Sequence, residues 1–190
     1  MALQHHEMSH QFRNVHAENM AIIHGSDPSK WKENAIRGLT IFSNEVAEQI
    51  AQYFRYFDGT HDVGCCIRLK HSTGDGYATM GRSPELNESR QQDSKPINHE
   101  SGLPGAMRKR GYGQAIHIPD IGKAIADGIW ERTPNCKQKN VTGAMAMPIN
   151  IRIKDKGRAM VGILYLTSSR SPFLYPFDEG AIEQAGEFAD

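Results

Sequence analysis

The order of elements along the chain predicts an α+β fold: an antiparallel sheet with helices on its faces. Three observations predict it. Apolar residues at helical spacing fill the first third of the chain. Short period-two segments separated by turn clusters follow. The two strongest of these segments are adjacent in sequence and joined by a short turn, as a hairpin requires. The chain has 190 residues, with 22 basic and 22 acidic side chains, so the formal net charge is zero. At this length folding hides roughly 70% of the surface of the unfolded chain, enough for one sizeable core. Charge balance argues against a broad footprint for nucleic acid or anionic lipid. Arg108, Lys109 and Arg110 form a small basic run without interleaved aromatics, the pattern of a solvated helix end.

The elements follow in order. Met8, Phe12, Val15, Ile22 and Ile23 give residues 7–24 a helical spacing, stopped by Gly25 to Pro28. Ser26 or Asp27 can cap the next helix, with Pro28 in its first turn. That helix is expected from Ser29 to Phe57 on the stripe Trp31, Ile36, Leu39, Phe42, Val46, Ile50, Tyr53, Phe54 and Phe57, ended by Asp58 and Gly59. Val63 to Lys70 has strand composition, with Cys65, Ile67 and Leu69 on one face and Cys66, Arg68 and Lys70 on the other. The cluster from Ser72 to Gly76 turns the chain into a returning strand, Tyr77 to Gly81. Ser83 to Asn98 is polar and reads as a loop. A short helix over Ser101 to Lys109, a strand over Gln114 to Ile118 and a helix over Ile121 to Arg132 come next. After the polar connection Thr133 to Asn140, strands Thr142 to Ile153 and Ala159 to Ser168 pair across a turn. Pro148 must sit at a bulge or an edge. A final helix is expected from Asp178. It is still amphipathic at Asp190, which fits a fragment or a helix that ends on a partner.

The first residues carry neither a basic nor an apolar signal region, and no stretch approaches the ~20 apolar residues that span a bilayer. Three cysteines, Cys65, Cys66 and Cys136, are too few for a disulfide framework. A cytoplasmic protein without membrane or nucleic-acid partners is expected.

Four segments carry a family resemblance. They are Ser101 to Ala106 with Gly111, Gln114 to Ile121, Gly143 to Ile149, and Gly162 to Leu166 followed by Pro172, Phe173, Phe177 and Asp178. Together and in this order they resemble a GAF domain, over roughly Trp31 to Asp190. The resemblance implies about six antiparallel strands, with long terminal helices on one face and a small-molecule pocket on the other. It implies a regulatory role and dimerisation through the terminal helices. Residues 1–28 are then an N-terminal helical extension and residues 29–190 the GAF-like domain. Ligand pockets combine apolar walls with a few orienting polar groups. The candidates are Arg68 and Tyr77 on the hairpin, His117 and Asp120 around the short strand, Trp130 on the next helix, and Thr142, Tyr165 and Thr167 on the last strands. Each has a plainer role open to it: Asp120 as a helix cap, Trp130 and Tyr165 as packing, Arg68 on a solvated face.

Departures from the family's named ligand classes leave the ligand, and any cofactor, unknown. The cyclic-nucleotide pattern of Asn-Lys and later Phe, three residues and Asp-Glu is not matched, because four residues separate Phe173 from Asp178 and Lys139-Asn140 is reversed. Thr167 and Ser168 stand where bilin-binding members would be expected to carry a histidine. His99 or His117 could offer a haem ligand, though a single histidine is more often a hydrogen-bonded surface or core residue. Cys136 falls near the nucleophile of the methionine sulfoxide-reducing branch, but Ser83 to Gly105 has no partner cysteine, so no enzyme activity is expected. No metal set accompanies His5, His6 and His10. The segment Glu7 to Asn14 looks like the phospho-acceptor box of histidine kinases, with His10 as acceptor, and links the chain to two-component signalling. The expected function is a non-catalytic sensor that binds a small molecule and signals through a homodimer. The alternatives are a ligand-free dimerisation module or a phospho-relay element through His10.

Overall fold

A computed structural model describes residues 2–58, 63–71, 76–84, 96–98, 100–110, 114–131, 141–154 and 157–169. Helix α1 spans Ala2–His24 and α2 spans Trp31–Asp58. Asp27 caps the connection between them. Its side chain accepts from the Ser29 amide at 2.8 Å, and Pro28 opens a single 3-10 turn, Pro28–Lys30. That amide bond holds the Asp27 carboxyl below the usual carboxylate range. The two helices run side by side in opposite directions. Phe12 meets Phe42 edge to face at 6.3 Å, and Asn19 lies against Gly38, where an added Cβ would come within 3.4 Å.

Six strands form one sheet among the described residues: β1 (Gly64–Lys70), β2 (Gly76–Arg82), β3 (Ile97–Asn98), β4 (Ile116–Ile118), β5 (Gly143–Ile153) and β6 (Gly157–Ser168). Their order is β3-β2-β1-β6-β5-β4, and every pairing is antiparallel. The predicted architecture is therefore present. β3 lies inside the stretch read as loop. Two residues are too short to show a period, and the pairing is visible only through the contacts of Gly76 and Tyr77. Pro148 lies beyond Ala146, the last β5 residue that β4 reaches, and just before the slip in register with β6 between Ile149 and Asn150, an edge beside a bulge.

Strand alternation splits the side chains into two cores. On one face Ala47, Ile50, Ala51 and Phe54 of α2 pack on Cys65, Ile67, Met145, Met147, Leu164 and Leu166. α2 approaches β2 so closely that a Cβ on Gly81 would lie 2.2 Å from the Ser43 carbonyl oxygen. Nearby, the Arg82 amide donates to Asn44 Oδ1 at 2.9 Å. The other face carries Ile116, Ile118, Ala144, Ala146, Ile163 and Tyr77, covered by Leu103 and Met107 of α3 (Gly102–Arg110) and Ile121 and Ala124 of α4 (Ile121–Ala126). α4 is shorter than the predicted helix over Ile121 to Arg132. Asp127 ends it, Gly128 turns at φ +69°, and the amides of Ile129 and Trp130 both donate to the Ala124 carbonyl. The final helix from Asp178, the connection Thr133 to Asn140, His99 and Cys136 lie outside the described residues.

The N-terminal half of α2 extends past the sheet. Trp31, Ile36, Leu39 and Ile41 are each more than two-fifths exposed, as is Ile22 on α1.

Candidate functional site

The face opposite α2 gathers polar groups that the hydrophobic core does not require. Register places Arg68 of β1 opposite Ile163 of β6, and Cys66 opposite Tyr165. Side chains two apart on a strand share a face, so Cys66, Arg68, Ile163, Tyr165 and Thr167 all look away from α2. Arg68 is buried, 8% exposed, contrary to the solvated-face alternative. Its Nε donates to Tyr165 Oη at 3.1 Å and its Nη1 to the Tyr77 carbonyl at 3.3 Å. The guanidinium carbon lies 5.9 Å from the Tyr165 ring centroid. Trp130 stands edge-on to the same ring, with centroids 6.0 Å apart and planes at 89°. The bend after α4 that shortens the helix is what turns Trp130 towards Tyr165.

Burial acts against the Arg68 charge, but the Tyr165 hydroxyl and the Cys66 thiol beside it outweigh that and leave the guanidinium more basic than usual. Burial raises Tyr165 to about 12, reinforced by Cys66 and opposed by Arg68, so at neutral pH it is an uncharged hydroxyl. On the α2 face, burial pushes the Cys65 thiol well up, with Cys66 and Glu48 adding to it, which makes it a packing group rather than a nucleophile.

The structure thus brings together Arg68, Tyr77, Trp130 and Tyr165. Thr167 is buried on the same face, one cross-strand row away, beside Gly64 and Ala144. Thr142 donates from Oγ1 to the Ser168 carbonyl at 3.3 Å, tying the start of β5 to the end of β6. Two candidates do not join the group. Asp120 is an exposed helix cap that accepts from the Lys123 amide at 3.1 Å. His117 alternates with Ile116 and Ile118, which face this site, so its side chain belongs to the opposite face with Ala115. On α1, the Arg13 guanidinium donates to His10 Nδ1 at 2.6 Å. Among the described residues no three His, Cys, Asp or Glu side chains cluster as a metal site would require, and no helix is long and apolar enough to cross a membrane. A surface hollow lined by Arg152, Ile153, Lys154 and Gly157 lies at the outer end of the β5–β6 hairpin, away from these residues.

Sequence reasoning missed Arg82. It is 6% exposed and lies on the same face, opposite Cys66. Its parity is hidden by the bulge between Ile67 and Arg68, which shifts the β2 register by one residue.

No protein-family model and no curated protein matches the chain. Solved structures do. The GAF domain of an Acinetobacter phosphoenolpyruvate-protein phosphotransferase matches with a TM-score of 0.58 at 17% identity, covering 94% of this chain and 85% of that one. The GAF domain of the corresponding Coxiella burnetii protein matches with a TM-score of 0.54 at 16% identity, covering 94% and 90%. A Staphylococcus aureus NreA protein mutated in its nitrate binding site matches with a TM-score of 0.51 at 18% identity, covering 77% and 96%. The chain has the fold of a GAF domain.

Proposed function

We propose that this GAF-fold chain is a cytoplasmic, non-catalytic sensory module. Its small-molecule ligand occupies the sheet face opposite α2, and its output passes through the helices. The observation that carries the reading is the cluster of buried Arg68 and Tyr77 with half-buried Tyr165 and Trp130. A charged fork, a neutral hydroxyl and aromatic edges against one sheet face are what orient a small ligand in a concave site. Beside Tyr165 the row is small: Cys66 on one side and Ala146 on the other. The fold likeness supports the reading too, because one structure of that fold has a nitrate binding site. Thermal unfolding with a cyclic-nucleotide and metabolite panel tests it. At least one compound is expected to raise the midpoint of the wild type and to lose that effect in Tyr165→Ala. Failure of every compound counts against sensing.

A second reading is a ligand-free dimerisation module. It is favoured by the exposed stripe of Trp31, Ile36 and Leu39 on α2, which the chain's own sheet does not cover. The two readings are compatible, since a sensor signalling through helices needs such a surface. They separate experimentally: a dimer that binds no compound is the second reading alone.

A further inference from the structure

Arg82 ends β2 directly across the ladder from Cys66, on the face of the proposed ligand site. Its guanidinium turns back along β2, and Nη2 donates to Thr79 Oγ1 at 3.3 Å. Thr79 in turn stands opposite Arg68. Nη1 of Arg82 is sealed from solvent and has no hydrogen-bond partner among the described residues. Five donors in a fixed plane are the guanidinium's whole chemistry, and burying some of them unmatched leaves their desolvation uncompensated. An unmatched buried donor calls for an explanation, and a bound group that completes it is one. What completes a guanidinium fork is an oxyanion, because two oxygens of a carboxylate, phosphate or nitrate match two parallel N–H vectors.

Register fixes the neighbours of that fork. One cross-strand row on this face reads Arg82, Cys66, Tyr165, Ala146 and Ile116, and the next reads Thr79, Arg68 and Ile163. The two guanidinium-bearing residues therefore occupy adjacent rows at the β1–β2 side of the sheet. Beyond them lie the small side chain of Cys66 and then the Tyr165 ring, with Trp130 at its edge.

We propose that Arg82 Nη1, with Arg68 in the adjacent row, anchors an oxyanion group of the ligand, so that the module recognises a small anion. The proposal rests on the reading of this face as a ligand site and adds the ligand's chemical class. It is tested on the full chain by thermal unfolding in nitrate, phosphate or acetate, against chloride at equal ionic strength and acetamide as a neutral isostere of acetate. The wild type is expected to show a saturable rise with at least one oxyanion, roughly 3–6 °C at ten times its dissociation constant. Phosphate or nitrate alone would identify a free inorganic ion, and acetate a carboxylate-bearing metabolite. Arg82→Met is expected to abolish the rise, while its ligand-free midpoint equals or exceeds that of the wild type because an uncompensated charge has gone. Should that variant not fold, Arg82→Lys keeps the charge without the fork and is expected to bind the same ion roughly tenfold more weakly. Oxyanions no better than chloride, or an equal rise in Arg82→Met, overturn the proposal. A neutral metabolite that stabilises wild type and Arg82→Met alike leaves the sensory reading standing and removes the anion from it; binding by neither kind of compound removes both.

Discussion

Tyr165 ties Arg68 to Trp130, and its ionisation reports on the whole cluster. Its proton is held to about 12 in the folded chain, against an ordinary value of 10.0. Across that window the folded state keeps a proton that the unfolded state has lost, so stability is intact below the lower value and falls as pH rises towards the upper one. The loss should approach the order of 2 kcal/mol. Urea unfolding between about pH 9 and pH 11.5 should show a steeper decline for wild type than for Tyr165→Phe. Equal slopes would mean that the hydroxyl is not buried against Cys66 and Arg68. Single residues are also where the sequence was least readable. Arg68 could be assigned to a strand face from alternation, but whether that face was wet depended on α3 and α4, whose coverage no local pattern encodes. His117 shows the converse. Its strand was legible, yet which of its faces met the polar cluster depended on pairing with β5. The bulge at Ile67 and Arg68 hid Arg82 altogether.

At the scale of elements, the tightest joint is α2 against β2. Gly81→Ala would drive a methyl into the Ser43 carbonyl, a backbone atom that cannot step aside. A loss of about 3 kcal/mol is expected by denaturant unfolding. Gly157→Ala offers the contrast: nothing lies near its Cβ, but φ is +81°, so only conformational strain of about 1 kcal/mol is expected. Costs of equal size would show that α2 does not press on β2 as described. Phe54→Ala, deep in the α2 core, should cost about 3–5 kcal/mol. The long helices and the two hairpins were legible because their periods run for many residues and their punctuation is strong: Asp27 and Pro28 before α2, Pro148 on β5. The last turns of the predicted helix after Ile121 were not. Ile125 and Ile129 continue a helical spacing, but Gly128 adopts a positive φ and both following amides converge on Ala124.

At the scale of the whole molecule, the sheet separates two jobs. One face is filled by α2, and the other combines a core under α3 and α4 with a polar cluster. The surplus apolar stripe on α2 extends beyond both. If that stripe joins two copies, light scattering of Leu39→Glu should give a monomer with unchanged circular dichroism, where the wild type gives a dimer. A monomeric wild type would leave the stripe to some other partner and remove output through a helix-paired dimer. The claim on which the functional account turns is that a ligand meets the face bearing Tyr165 and Trp130. The chain has two tryptophans, so Trp31→Phe leaves Trp130 as the one indole reporter. Its emission, titrated with each compound that stabilises the fold, should change saturably at the same midpoint as the thermal effect. Compounds that bind at one equivalent while the Trp130 signal stays constant would contradict the account.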